Sequence, residues 1–327
     1  MSGKIALEEH FITPDLVDKV TGGLPDPAVW KQARRRLLDM TDLRLADMDD
    51  AGIDYSLLSV TGPAVQGETD PQAAVHMARE KNDFLAESIA PHRGRLGGLA
   101  AVALQDPAAA AAELERAVTT LGFSGALING FTDTADPNRA LYLDRPEVDV
   151  FWSAVERLDV PVYLHPRDPL QTQREAYRDH EVLLGSAWAF GVETATHALR
   201  LITGGVFDRH PGVQIVLGHL GETLPYSIWR VQHRYEVTHR GVELARPLAE
   251  YLTTNFHATT SGFFDDAALR FTIEKMGHER VMFSSDYPYE DMIAASEWFD
   301  RAPLTEQEHR AVSHSNAEKL FKIHNQW

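Results

Sequence analysis

The chain contains no cysteine. That absence removes disulfides, thiolate nucleophiles and cysteine-ligated metals from the chemistry open to it. Positive charge is also scarce: 31 Lys and Arg stand against 48 Asp and Glu, a formal net charge of -17. Such a surface repels polyanions, which argues against non-specific binding to nucleic acid or to an anionic membrane. An anionic small molecule remains possible, because a bound cation makes one site locally positive. No apolar run approaches the ~18 residues of a membrane-spanning helix. The start, Met1-Ser2-Gly3-Lys4, carries no signal-type apolar segment, and a cytoplasmic protein is the expectation. Also missing are a Gly-x-Ser-x-Gly elbow and a glycine-rich phosphate loop, and His180-Glu181 has no second His to complete a zinc-protease helix.

What is present is a chain of 327 residues, 44% hydrophobic and 24% charged, the balance of an ordinary globular protein. Strand-like runs fall at 4–11, 53–60, 95–104, 123–128, 160–164, 213–217, 256–260 and 281–285. Between them, Leu114, Val118 and Leu121, and again Leu269, Ile273 and Met276, repeat at i, i+4 and i+7, one face of a helix. Asp106 is placed to cap the first of these helices, while Gly122 and Gly277 stop them. A further helix is expected over 37–50, with Gly52 as its stop. Eight strand–helix units predict an α/β fold: a single (β/α)8 TIM-type barrel over residues 1–327, with loop insertions after strands 1 and 5. The first insertion, around Gly22-Gly23-Leu24-Pro25-Asp26-Pro27, is a candidate lid; the second runs from His165 to about Trp188. A doubly wound open sheet is the alternative, but there a glycine-rich phosphate loop normally follows the first strand. Here that place holds Glu8-Glu9-His10-Phe11.

The strand ends carry the chemistry. In a strand, alternate residues share a face, so Ala6, Glu8 and His10 are expected to point one way. A carboxylate and an imidazole so placed make half of a divalent metal site; alone, they read first as solvated polar residues on an edge strand, and the other strand ends reverse that reading. His165, His219 and Asp286 also end strand-like runs, and a barrel would bring all five to one mouth. This mixed N/O set suits one divalent ion, Zn2+ or Mn2+. Glu222, three residues after His219, is placed to orient its ring, or is simply a first-turn acid favoured by the helix dipole. Asn129 can bond a polar substituent of a substrate or serve as a turn residue, and Arg230 can reach a carboxylate or stand on the surface. The remaining histidines in helical or terminal stretches, such as His76, His197 and His233, read as surface or packing residues.

With these residues the chain resembles the amidohydrolase superfamily and, within it, the non-oxidative hydroxybenzoate decarboxylases. The stretches that carry the resemblance are Lys4-Ile5-Ala6-Leu7-Glu8-Glu9-His10-Phe11, Gly125-Ala126-Leu127-Ile128-Asn129-Gly130-Phe131 and Tyr163-Leu164-His165-Pro166-Arg167. It continues through Leu217-Gly218-His219-Leu220-Gly221-Glu222 and Phe283-Ser284-Ser285-Asp286-Tyr287-Pro288. Typical hydrolases of the superfamily carry His-x-His on the first strand; Glu in its first place is the decarboxylase pattern. The resemblance implies that Glu8, His10, His165 and Asp286 bind the metal, with His219 beside it and paired with Glu222. Asn129 and Arg230 would face an aromatic acid, and Asp286 or His219 would deliver a proton. It implies reversible decarboxylation of an ortho-hydroxybenzoate, 2,6-dihydroxybenzoate first, without an organic cofactor, by a homo-oligomer, a tetramer or a dimer. One departure stands out: where some relatives place an aromatic residue over the substrate ring, this chain has Gly22-Gly23. Hydrolysis by the same ligand set, and action on 2,3-dihydroxybenzoate or salicylate, are the alternatives.

Overall fold

Lys4–Phe11 forms the first strand, β1, and all eight of its residues are buried. Burial of both faces is what a parallel sheet covered by helices demands. The fold is that of a computed structural model, which describes residues 3–17 and 27–323. Gly22 and Gly23 of the candidate lid lie outside the described residues. The strands that follow are β2 (Ile53–Val60), β3 (Leu96–Gly98), β4 (Ala126–Asn129) and β5 (Val162–His165). After them come β6 (Ile215–Leu217), β7 (Phe256–Thr259) and β8 (Val281–Met282). They pair in parallel as two sets, β1-β2-β3 and β8-β7-β6-β5-β4. Helices alternate with them, so the architecture is parallel α/β. A parallel bridge between Ala100 and Ala126 joins the end of β3 to β4. At the other edge, the His10 N–H donates to the Tyr287 carbonyl at 2.7 Å.

The core falls into two parts. The larger packs the outward strand faces against the helices and includes Ala6, Phe11, Phe151, Trp152 and Phe256. The smaller gathers Ile5, Leu7, Leu57, Leu99, Leu127, Tyr163, Val216 and Met282 with Phe321 and Ile323 from the end of the described chain. Ala6 is thus on the opposite side from Ile5 and Leu7, as a pleat requires. The pairing of β1 with β2 then slips: Ala6 faces Ser56 but Glu9 faces Leu58, so one extra residue lies between. This bulge resets the alternation, and it corrects the expectation that Ala6, Glu8 and His10 share one face.

Local chemistry explains other boundaries. The helix expected over 37–50 is two helices, Pro27–Leu38 and Asp42–Ala51. The Asp39 carboxylate accepts the Leu43 N–H at 2.9 Å, which starts the second one afresh. Asp106 accepts the Ala109 N–H as expected, and Gly52 and Gly122 close their helices in the left-handed conformation that favours glycine. The stretch 166–188 contains three short 3-10 turns. Among the described residues no helix is long and apolar enough to cross a membrane.

Candidate active site

Five side chains from the ends of four strands meet at one place. Glu8 and His10 of β1 are fully buried. His165 ends β5, and its Nε2 stands 3.4 Å from Glu8 Oε1. His10 Nε2 lies 3.4 Å from Asp286 Oδ1, and the His10 and His165 rings meet edge to face at 4.7 Å between centroids. Ligand-type atoms of Glu8, His10 and His165 all lie within 4.8 Å of one another. Glu8 Oε1 and His10 Nε2 are buried without a hydrogen-bond partner. Orphaned atoms of this kind are costly unless something outside the chain satisfies them. A carboxylate oxygen and an imidazole nitrogen facing one point fit a divalent cation.

Surrounding groups fix these side chains. Tyr163 donates its hydroxyl to Glu8 Oε2 and shares a 2.7 Å hydrogen bond with Thr259, leaving Oε1 turned toward the histidines. Ser59 Oγ lies 3.4 Å from His10 Nδ1, so Nε2 is the nitrogen that faces the site. A Cβ at Gly218 would come within 2.7 Å of Glu8 Oε2; only glycine leaves room for that carboxylate.

His219 follows Gly218 in an unusual turn. His219, Leu220, Gly221, Glu222 and Thr223 all have positive φ, between 51° and 84°. Four of them carry a Cβ, and each costs roughly 1 kcal/mol or more in this region. The first-turn acid expected at Glu222 is therefore not in a right-handed helix. The turn brings Glu222 Oε1 to 2.7 Å from His219 Nδ1, while His219 Nε2 lies 3.7 Å from Asp286 Oδ2. Asp286 also has positive φ, 71°. Gly262, at φ 58°, leaves open the space where a Cβ would stand 3.3 Å from Asp286 Oδ2 and from His219 Nε2.

The site splits its acids. Burial pushes Glu8 up to about 7, reinforced by the charge of Asp286 and opposed by the histidines and Tyr163. Asp286 is also buried, but the facing His10 and His219 rings outweigh that and hold it down at about 2. Burial disfavours the His219 cation, yet the Glu222 and Glu8 charges raise it well above the ordinary imidazole value. Burial beside His10 holds His165 well below that value, the neutral form a metal ligand needs.

Asn129 pairs in register with His165 across β4 and β5 and is buried, its Oδ1 without a partner. Arg230 is exposed on the helix Leu224–Val237, and no described hydrogen bond or ion pair joins it to the five residues above. Sequence reasoning passed over Tyr163, Thr259, Ser59 and Glu9. The signal for Glu9 was present: a carboxylate inside a strand buried on both sides needs a dedicated set of donors.

The amidohydrolase family model matches residues 10–323. The chain belongs to the amidohydrolase family. It is 46% identical to a γ-resorcylate decarboxylase of Rhodococcus jostii (strain RHA1), over 99% of both chains. Among solved structures, it matches 2,6-dihydroxybenzoate decarboxylase complexed with 2,6-dihydroxybenzoate at a TM-score of 0.95 and 45% identity, covering 99% of this chain and 100% of the other. It also matches a dihydroxybenzoic acid decarboxylase of Polaromonas sp. JS666 that holds manganese and the inhibitor 2-nitroresorcinol, at a TM-score of 0.95 and 45% identity, covering 99% and 98%.

Proposed function

We propose that the chain is a metal-dependent carboxy-lyase that converts 2,6-dihydroxybenzoate, reversibly and without an oxidant, to resorcinol and CO2. The observation that carries this reading is the buried convergence of Glu8, His10 and His165 beside Asp286 and the His219–Glu222 pair. The substrate and Mn2+ are supported by the relatives just described, and Zn2+ is the alternative that the mixed nitrogen and oxygen donors would also accept. Glu8, His10, His165 and Asp286 would hold the ion, and when bound it supplies Lewis acidity to the substrate's carboxylate and ortho oxygen. Asn129 bonds a ring hydroxyl and Arg230 the anionic edge of the substrate.

The chain's own residues move the proton. Glu222 orients the His219 ring through Nδ1, and Nε2 faces Asp286, so a proton passes from His219 to Asp286 and on to the ring carbon that bears the carboxylate. The ortho hydroxyls supply electron density for the new C–H bond. The C–C bond to the carboxylate then breaks, its electron pair returns to the ring, and CO2 leaves. The protonated ring is its own electron sink, and no organic cofactor is required.

The same reading takes residues 1–327 as one domain, the two sheets closing into a single (β/α)8 barrel with insertions after β1 and β5. The cluster of apolar residues drawn from both sheets, together with the contacts at both sheet edges, supports closure. It also takes a homotetramer, supported by Tyr226 and Trp229, 81% and 69% exposed on one helix; sedimentation velocity would check the assembly.

A hydroxybenzoate panel on the Mn2+-loaded protein tests the chemistry. CO2 release should be fastest from 2,6-dihydroxybenzoate and slower from 2,3-dihydroxybenzoate and salicylate. 3- and 4-Hydroxybenzoate should be inert, having no oxygen ortho to the carboxylate. Comparable turnover of 4-hydroxybenzoate would overturn the chelation argument, and ester or amide hydrolysis without CO2 release would replace the lyase by a hydrolase.

A further inference from the structure

Glu9 takes no part in the mechanism above, yet its surroundings are as specific as those of the site. It lies between Glu8 and His10, turned to the other face of β1, and is fully buried. Its carboxylate accepts four hydrogen bonds. Oε1 receives the Ser284 hydroxyl at 3.0 Å and the Ser285 N–H at 3.0 Å; Oε2 receives the Ser285 hydroxyl at 2.7 Å and the Tyr287 N–H at 3.2 Å. All four donors flank Asp286. Ser284 Oγ also accepts the Leu7 N–H at 3.2 Å and the Glu8 N–H at 2.8 Å. One donor and two acceptor positions exhaust what a hydroxyl offers.

The two segments so joined share no strand ladder, because β1 pairs with β2 and β8 with β7. Beyond the single bond from the His10 N–H to the Tyr287 carbonyl, their register rests on Glu9 and Ser284. Arg44, equally buried, donates to the His10 carbonyl at 2.6 Å and covers the Tyr287 ring at 4.7 Å, which places a countercharge in the same pocket.

We propose that Glu9 is a positioning residue for the cation site: through Ser284, Ser285 and Tyr287 it sets where Asp286 stands relative to Glu8 and His10. The proposal rests on the reading above, in which those residues share one cation. Two ligands of β1 face inward, and the residue between them grips the segment that presents the fourth.

The test is calorimetric titration of the full-length, metal-free protein with Mn2+ alone, beside thermal melting of the same samples. In Glu9→Gln an amide group meets donors that need an acceptor. The melt should stay cooperative while Mn2+ affinity falls by about tenfold or more, the usual effect of losing a group that orients ligands. Ser285→Ala deletes one donor and leaves the Ser285 N–H bond in place. It should show a smaller loss in the same direction, and it carries the test if Glu9→Gln does not fold. A purely structural Glu9 would lower the melting temperature and leave affinity unchanged. Affinities within about twofold of wild type in the folded variants would therefore overturn the inference. Wild-type protein that takes up no Mn2+ would overturn the site assignment beneath it, a distinguishable result.

Discussion

β1 and the turn at residues 219–223 deliver functional groups by opposite means. β1 is extended and buried throughout, and its pairing with β2 shifts register at Lys4/Ile5 and again at the bulge between Ala6 and Glu9. The turn is left-handed over five consecutive residues, four of which have a Cβ. The strand places Glu8 and His10 by pleat and bulge, with little strain. The turn places His219 and Glu222 at a cost of several kcal/mol, at roughly 1 kcal/mol for each strained residue. The difference matches the tasks proposed for them. Ligands need to converge on a point, which a strand end does well; an acid–base pair needs one ring held in one orientation against one carboxylate, which only a tight turn supplies here.

The largest expected effect comes from the strand-end set. Replacing Glu8, His10, His165 or Asp286 with Ala should abolish Mn2+ binding or lower kcat by at least ~1000-fold, as a bond to the cation is lost. Elemental analysis of the purified variants checks this, and any one that keeps both metal and rate drops out of the site. The turn predicts a different phenotype. His219→Asn should retain the metal and lose about 100-fold in kcat, the scale of a general acid–base contribution. If the variant lost its metal instead, the proposed division of labour between strand and turn would collapse.

Histidines away from the site sharpen the contrast with His219. Burial, helped by Arg200 and Arg280 respectively, holds His197 and His257 down at about 3. The unfolded chain protonates them near 6.5, so their folded-state value is depressed and the neutral form is favoured by folding. Stability is full above the unfolded value of about 6.5 and falls as the medium is acidified below it, by up to ~1.4 kcal/mol per pH unit for each residue. His197→Gln should flatten the slope between about pH 6.5 and 5 in urea unfolding curves. An unchanged slope would mean that His197 is protonated in the fold. The smallest effect should come from Thr223→Gly. Thr223 is exposed at φ 64°, so relief of left-handed strain should raise unfolding stability by roughly 1 kcal/mol, with kcat close to wild type. A loss of stability would show that the turn is not strained at that end.

The parallel α/β order was legible from apolar runs and from stop signals such as Gly52, Gly122 and Gly277, because those depend on neighbours in sequence. The ligand candidates were legible because each ends a strand-like run. The bulge was not, since it is a mismatch between two strands and Ile5 to His10 read alone as a regular pleat. Nor was the left-handed turn: His219 and Glu222 have the spacing of an ordinary helix start, and tertiary contacts overrule local preference there. Glu9 was missed for a third reason. Its donors come from residues 284–287, so nothing near it in sequence betrays them.

That last distance has a kinetic meaning. Glu9 and Ser285 are separated by 276 positions, and Lys4 meets Asp300 across 296. The loop-closure entropy of such contacts grows only logarithmically with length, but they cannot form until both ends exist. During synthesis β1 emerges first and waits, its outer edge lacking the 284–287 partner, while the other strands are made. The pocket is completed only once residues 284–287 have been made. A fragment ending before Ser284 would keep all eight strands and most of the larger core, yet leave the Glu9 carboxylate and the edge of β1 without their partners and the site without Asp286.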